Sequence, residues 1–229
     1  MISNELDITP YRQRLARDGR VQIPGFLQTD AANRLADCLR REVPWSTAER
    51  GLPDSAPWTG DIARQRMPEA YRRAAAGFHF VYDRYLMVEA MREGRDPQLV
   101  LHTVLAFFNS PDYLGFIREL TGDNSLAMVG AQATRYLPGQ FLRVHDDRHD
   151  EEARRYAYVL NLSRNWEVDW GGLLHFVGED GSHRDAMMPR FNSLSLFKVP
   201  ARHFVGVVAP WAQEPRLAIT GWWHAKPAA

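Results

Sequence analysis

The chain has 229 residues, enough for one sizeable hydrophobic core, and 45% of them are apolar, which excludes a disordered polypeptide. Basic and acidic side chains both number 28, so bulk charge gives no case for nucleic acid, and no apolar run is long enough to span a bilayer. The single cysteine, Cys38, excludes an intrachain disulfide and any multi-cysteine metal site, leaving histidine and carboxylate as donors for an ion.

The N-terminus lacks the basic-then-apolar layout of a secretory signal. A cytoplasmic protein, with neither nucleic acid nor membrane as partner, is the expectation. In chain order, Thr9-Pro10 predicts a helix start with Thr9 as N-cap, running to a stop at Gly19. Arg20 to Phe26 alternates and reads as a strand. Thr29-Asp30 is expected to cap a second helix, on which Ala32, Leu35, Leu39 and Val43 fall at helical spacing. Gly51 to Asp61 reads as a loop. Pro68 to Ala75, Tyr82 to Arg92, Pro97 to Asn109 and Pro111 to Leu120 read as helical pieces, the last stopped at Thr121-Gly122.

From Ser125 the texture changes to short alternating apolar segments separated by Gly, Asp, Asn and Pro. They are Ala127–Tyr136, Phe141–Asp147, Tyr156–Leu162, Leu173–Val177, Ser193–Phe197, His203–Val208 and Arg216–Trp223. Strands at such spacing predict an antiparallel sandwich or barrel. The expected fold is α+β with a mainly β core, a jelly roll or double-stranded β-helix whose N-terminal helices buttress one sheet. One domain over residues 1–229 is expected, with 1–124 as mainly helical support and 125–229 as the jelly-roll core.

The densest chemistry lies in Leu142 to Asp150, L-R-V-H-D-D-R-H-D. Read as a strand, it puts His145 and Asp147 on one face, supplying one imidazole and one carboxylate of a 2-His-1-carboxylate triad for non-haem iron. Read as a helix, it pairs His145 with His149 in a zinc-like arrangement, but no Glu follows the first His to act as general base. A third ligand has to come from a later strand, and His175, His183, His203 and His224 are the candidates. His203, at the start of a strand, suits a cavity mouth. On the last strand Arg216, Ala218, Thr220 and Trp222 share a face, and an Arg among apolar neighbours calls for a carboxylate or phosphate to meet its forked donors. A hairpin through A-P-W-A-Q-E would put Arg216 several residues deeper than His203, at ~3.3 Å per residue.

The ordered set of His145 and Asp147 in H-x-D, W-G-G-L-L-H-F (Trp170–Phe176), His203, and R-L-A-I-T-G-W-W (Arg216–Trp223) resembles the 2-oxoglutarate/iron(II)-dependent dioxygenases, most of all their prolyl-hydroxylase branch. Y-L-P-G-Q-F-L (Tyr136–Leu142), the N-terminal R-V-Q-I-P-G-F-L and the block Phe107–Gly122 extend the likeness over the chain from about Gly19 onward. The resemblance implies Fe(II) held by His145, Asp147 and His203, with 2-oxoglutarate and dioxygen as co-substrates. It implies that Arg216 pairs with the distal carboxylate of 2-oxoglutarate, that Thr220 adds a hydrogen bond and that Tyr136 lines the pocket. Many relatives use Lys for that carboxylate, but neither Lys198 nor Lys226 fits the position. Asn161 stands where several relatives have a co-substrate-binding Tyr. Asp146 is read as structural.

The implied reaction is hydroxylation of an unactivated C–H, favouring a protein or peptide side chain such as proline. A small-molecule substrate and a non-catalytic jelly-roll binding module are the alternatives. Trp58–Arg66 and Phe78–Tyr85 are candidates to cover the mouth of the site.

Overall fold

A computed structural model of the chain describes residues 1–149 and 152–225, so Asp150 and Lys226 lie outside the described residues. The elements begin with α1 (Thr9–Asp18), β1 (Arg20–Pro24), α2 (Thr29–Arg41), β2 (Ser46–Glu49), α3 (Gly60–Ala76) and β3 (Phe80–Tyr85). Next come α4 (Met87–Arg92), α5 (Val100–Phe108), α6 (Pro111–Thr121), β4 (Leu126–Val129), β5 (Gln132–Tyr136) and β6 (Phe141–His145). The chain closes with β7 (Arg154–Asn161), a 3-10 turn (Val168–Trp170), β8 (Leu174–Val177), β9 (His183–Met187), β10 (Ser193–Lys198), β11 (His203–Val205) and β12 (Arg216–Ala225).

Twelve antiparallel strands among the described residues form a nearly closed double-stranded β-helix in the order β1-β10-β7-β12-β5-β3-β6-β11-β8-β9, with β2 beside β3 and β4 beside β12. Three of them, β1 to β3, come from the N-terminal part expected to be mainly helical support, so that part completes the sheet as well as supplying helices. The helices cover one face of the sheet. Leu35, Leu39, Val104, Phe108, Tyr113 and Ile117 pack with the outward residues of the strands, among them Tyr158, Leu160, Leu217, Ile219 and Trp223. Each such buried leucine contributes about 2 kcal/mol by removal from water. Tyr82, Tyr136, Ala157, Leu174, Phe176, Phe197 and Val205 form a second cluster on the inner face.

Four expectations are corrected. Thr9 and Thr29 are first helical residues rather than caps; Ile8 and Gln28 hold the cap positions without side-chain bonds, and Asp7 Oδ1 accepts from the Thr9 N–H at 2.9 Å. The run Tyr82–Arg92 is not one helix. Its first residues belong to β3, whose ladder to β5 and β6 overrides local propensity, and only Met87–Arg92 is helical. β11 and β12 do not form a hairpin: β11 pairs with β6 and β8, and β12 pairs with β4, β5 and β7. The connection crosses between layers instead of turning back. Finally, β6 ends at His145, and Asp147 follows with φ 60, outside the strand.

The expected run Ala127–Tyr136 is broken at Gly130-Ala131 into β4 and β5, both laid along β12. The crossing is tight, because a Cβ on Gly221 would sit 1.9 Å from the Gly130 carbonyl oxygen. Gly221→Ala is therefore expected to lower stability by about 2 kcal/mol through overpacking. The urea midpoint of the variant should fall; an unchanged midpoint would mean that the crossing is free to shift.

Candidate metal centre

Three side chains that are distant in sequence converge at one end of the inner cavity. His145 Nε2 lies 3.3 Å from Asp147 Oδ1, and His203 Nε2 lies 3.4 Å from Asp147 Oδ2. The two imidazole centroids are 4.1 Å apart. One donor atom from each residue fits within 4.8 Å of the others, and no other cluster of three or more His, Cys, Asp or Glu does so among the described residues. β11 and β6 are antiparallel neighbours with His203 opposite His145, so the ladder itself brings the imidazoles together.

The local geometry prepares each donor. His145 Nδ1 donates to the Arg143 carbonyl at 3.0 Å, and His203 Nδ1 donates to the Ala201 carbonyl at 2.7 Å. A carbonyl only accepts, so the proton is held on Nδ1 and the Nε2 lone pair faces the centre on both rings. Arg154 Nη1 donates to the Asp147 carbonyl at 3.4 Å, tying down a residue whose φ of 60 is unusual without glycine. Asp146 turns away and accepts from the Arg148 N–H at 3.1 Å, a structural bond as expected.

Burial, with the nearby charge of His145, pushes His203 down to about 4, so its ring is neutral at physiological pH. Burial alone would raise the Asp147 carboxyl. Contact with the His145 and His203 rings outweighs this and keeps it below its ordinary value. A carboxylate and two imidazoles that present Nε2 are the kind of donor set that suits a divalent first-row ion.

The cavity behind this cluster has a volume of about 250 Å³. Phe80, Leu142, Leu174, Phe197 and Val205 make its walls apolar, and Tyr136, Arg216, Thr220 and Trp222 also face it. Arg216 is 1% exposed. Among the described residues no hydrogen bond or ion pair meets it, and its buried Nε has no partner. Its Cζ stands 5.1 Å over the Tyr136 ring. Desolvation lowers its pKa, the mark of a cation short of compensation. A Cβ on Gly172 (φ 63) would come 3.2 Å from Arg216 Cδ, so the second glycine of W-G-G makes room for the arginine stem. An organic dicarboxylate fits this arrangement, with one end at the imidazole cluster and the other on the guanidinium.

The other expected residues divide. Tyr136 and Thr220 line the cavity. Asn161 does not; its Nδ2 donates to Ser193 Oγ at 3.3 Å and Ser195 Oγ at 3.2 Å. His149 sits apart, 3.8 Å from Glu152, so the helical His145/His149 arrangement is absent. His224 bonds the Glu152 carbonyl, and His175 contacts His183. Lys198 is exposed at the end of β10. Phe78, Phe80 and Tyr82 do reach the cavity, with Phe78 5.7 Å from His145. Trp58 instead packs with Met67 and Phe141 under α3. Sequence reading passed over Arg154, whose Cζ lies 3.7 Å over the Trp222 ring, and gave Trp222 no role although it shares a face with Arg216.

Residues 131–224 match the 2OG-Fe(II) oxygenase superfamily. The chain is 32% identical over 110 residues to prolyl 3-hydroxylase sudestada1 of Drosophila melanogaster, covering 43% of this chain and 20% of that protein. It is 24% identical over 156 residues to mouse prolyl 3-hydroxylase OGFOD1, covering 64% of this chain and 28% of that one. The chain thus spans less than a third of the length of these curated relatives. A solved prolyl-4-hydroxylase from Pseudomonas putida superposes with TM-score 0.59 at 21% identity, over 100% of this chain and 97% of that one. A Trichoplax adhaerens prolyl hydroxylase, solved with a hypoxia-inducible-factor peptide fragment, gives TM-score 0.63 at 16% identity, over 96% and 89%. These structural likenesses establish the double-stranded β-helix.

One prediction concerns pH. The His203 imidazole titrates near 6.5 when unfolded and near 4 in the fold, so between those values the unfolded chain binds the extra proton. Stability of the metal-free protein is full above pH 6.5 and falls as pH drops toward 4, by on the order of 2–3 kcal/mol. Urea midpoints measured across this window should decline, and His203→Asn should flatten the decline. An equal slope in the variant would place the titration elsewhere.

Proposed function

We propose, for a chain whose β-core is that of a 2OG-Fe(II) oxygenase of the prolyl-hydroxylase-like type, that it couples oxidative decarboxylation of 2-oxoglutarate to hydroxylation of a prolyl side chain in a protein or peptide. The reading is carried by one observation: an imidazole–imidazole–carboxylate cluster shares a small apolar cavity with a buried guanidinium that lacks a partner among the described residues. The proposal treats residues 1–229 as one oxygenase domain and sets it in the cytoplasm.

In this reading His145, Asp147 and His203 would hold Fe(II), with 2-oxoglutarate and dioxygen as the co-substrates. When bound, the iron and its two co-substrates supply the oxidising chemistry, releasing succinate and CO2 and delivering a hydroxyl to an unactivated C–H. The chain does the rest. Arg216 takes the distal carboxylate in a forked contact, the Thr220 hydroxyl adds a bond on the same face, and the Tyr136 ring lies beneath the guanidinium. Phe80, Leu142, Phe197 and Val205 keep water from the reacting centre, which raises the worth of every charge inside it. A cavity of about 250 Å³ accommodates a five-carbon diacid and little more than one side chain. That size favours a residue presented on a peptide over a bulky free metabolite. The prolyl hydroxylases among its relatives and fold neighbours support proline as the residue.

Release of succinate from 2-oxoglutarate, stimulated by proline-containing peptides in the presence of Fe(II), tests the proposal. His145→Ala and Asp147→Ala are expected to abolish turnover with the circular dichroism spectrum intact. Arg216→Ala should raise the KM for 2-oxoglutarate at least tenfold, equivalent to about 1.4 kcal/mol of lost binding. An unchanged KM in that variant removes Arg216 from its role, and no iron-dependent succinate release from the intact protein sinks the reading.

A further inference from the structure

Outside the metal centre, the far side of the same strands carries a second pair of imidazoles. His175 on β8 stacks on Phe204 of β11, with centroids 4.5 Å apart and planes at 9°. Its other edge lies over Gly206, where a Cβ would come 3.2 Å from His175 Nε2. The ring is thus held on two sides, and its Nδ1 is turned toward the adjacent strand. There, His183 Nε2 lies 3.1 Å away. β8 and β9 are antiparallel neighbours with Val177 opposite His183 and a register shift beside it, so the sheet brings the rings together across an irregular rung.

We propose that His175 and His183 form a second metal site, taking a late first-row divalent ion such as Zn²⁺ or Cu²⁺ with water completing the coordination. The spacing suits a chelate. Two ring nitrogens 3.1 Å apart, each ~2.0–2.1 Å from one ion, subtend roughly 95–100° at it, between the tetrahedral and octahedral values. The ligand type selects the ion. Imidazole nitrogen favours Cu²⁺ and Zn²⁺, and the absence of a carboxylate completing the pair among the described residues disfavours Mg²⁺ and Ca²⁺. Burial and the neighbouring His183 depress the His175 pKa, which keeps that ring in its neutral, ligating form.

With two protein ligands the site is open and its ion exchangeable. Its placement has a consequence. Phe204, against which His175 is stacked, directly follows His203, whose side chain lies in the interior. An ion at His175 and His183 would clamp β9 to β8 and brace, from outside, the strand that presents His203 within.

Equilibrium dialysis of the intact protein against Zn²⁺ near neutral pH tests the site. The His175→Asn and His183→Asn variants are each expected to bind one equivalent fewer than the wild type, whatever the occupancy of the inner cluster. At two equivalents of Cu²⁺ the wild type should give, beside the signal of the inner cluster, a second electron paramagnetic resonance species coupled to two nitrogens, which His183→Asn removes. His183 is exposed, so this variant reports even where loss of the stacked His175 impairs folding. Equal zinc stoichiometry in wild type and His183→Asn, or a copper signal unaffected by that change, overturns the proposal and leaves the pair as a hydrogen bond.

Discussion

A guanidinium sealed inside the protein, with no carboxylate beside it among the described residues, is the constraint on which the rest of the structure depends. Leaving a charge in an apolar cavity costs several kcal/mol after relaxation. Stacking of Arg216 over the Tyr136 ring returns about 1–2 kcal/mol of that. The remainder is supported by the rest of β12, whose Leu217, Ile219 and Trp223 are anchored in the helix-covered core. Each second residue of the strand secures the fold so that the alternate residues can face an incompletely satisfied cavity. An anionic ligand there would recover the deficit, which sets this arginine apart from the core residues of the same strand.

The imidazole cluster obeys the same economy. His145 and His203 are cross-strand partners, and each is fixed in tautomer by a backbone carbonyl two residues upstream in its own chain segment. Neither ring needs a side-chain partner to be oriented, so the donor geometry is built from the ladder itself. Asp147 is the exception. It lies past the end of β6 with a left-handed backbone, and Arg154, stacked on Trp222, holds its carbonyl in place. The carboxylate that joins the two imidazoles is thus secured from the neighbouring strand.

Alternation along β11 ties the two faces of the sheet together. His203 faces the cavity, and Phe204 faces outward under His175. A perturbation on the outer surface is one residue from an imidazole of the inner cluster. Strands in a sheet transmit displacement through such contacts because packed interiors yield little.

Some of this was legible in the sequence. Period-two alternation in Arg216–Trp223 correctly put Arg216, Thr220 and Trp222 on one face, since side-chain direction along a strand is a local property. Helix-forming spacing in α2, with Leu35 and Leu39 buried, was local in the same sense. The likeness of the ordered motifs to a known family carried the choice of His203, which spacing alone left among four histidines. What sequence could not determine depends on which strands pair. Tyr82 sat within a helical-looking run until the β5 and β6 ladders claimed Phe80–Tyr85, and β9 gave no alternating signal because an edge strand needs few apolar residues. The layer change between β11 and β12, the commitment of Asn161 to Ser193 and Ser195, and the meeting of His175 with His183 are likewise decided by contacts between distant segments. Periodicity is set by neighbours along the chain, whereas pairing partners are chosen only when the whole sheet closes.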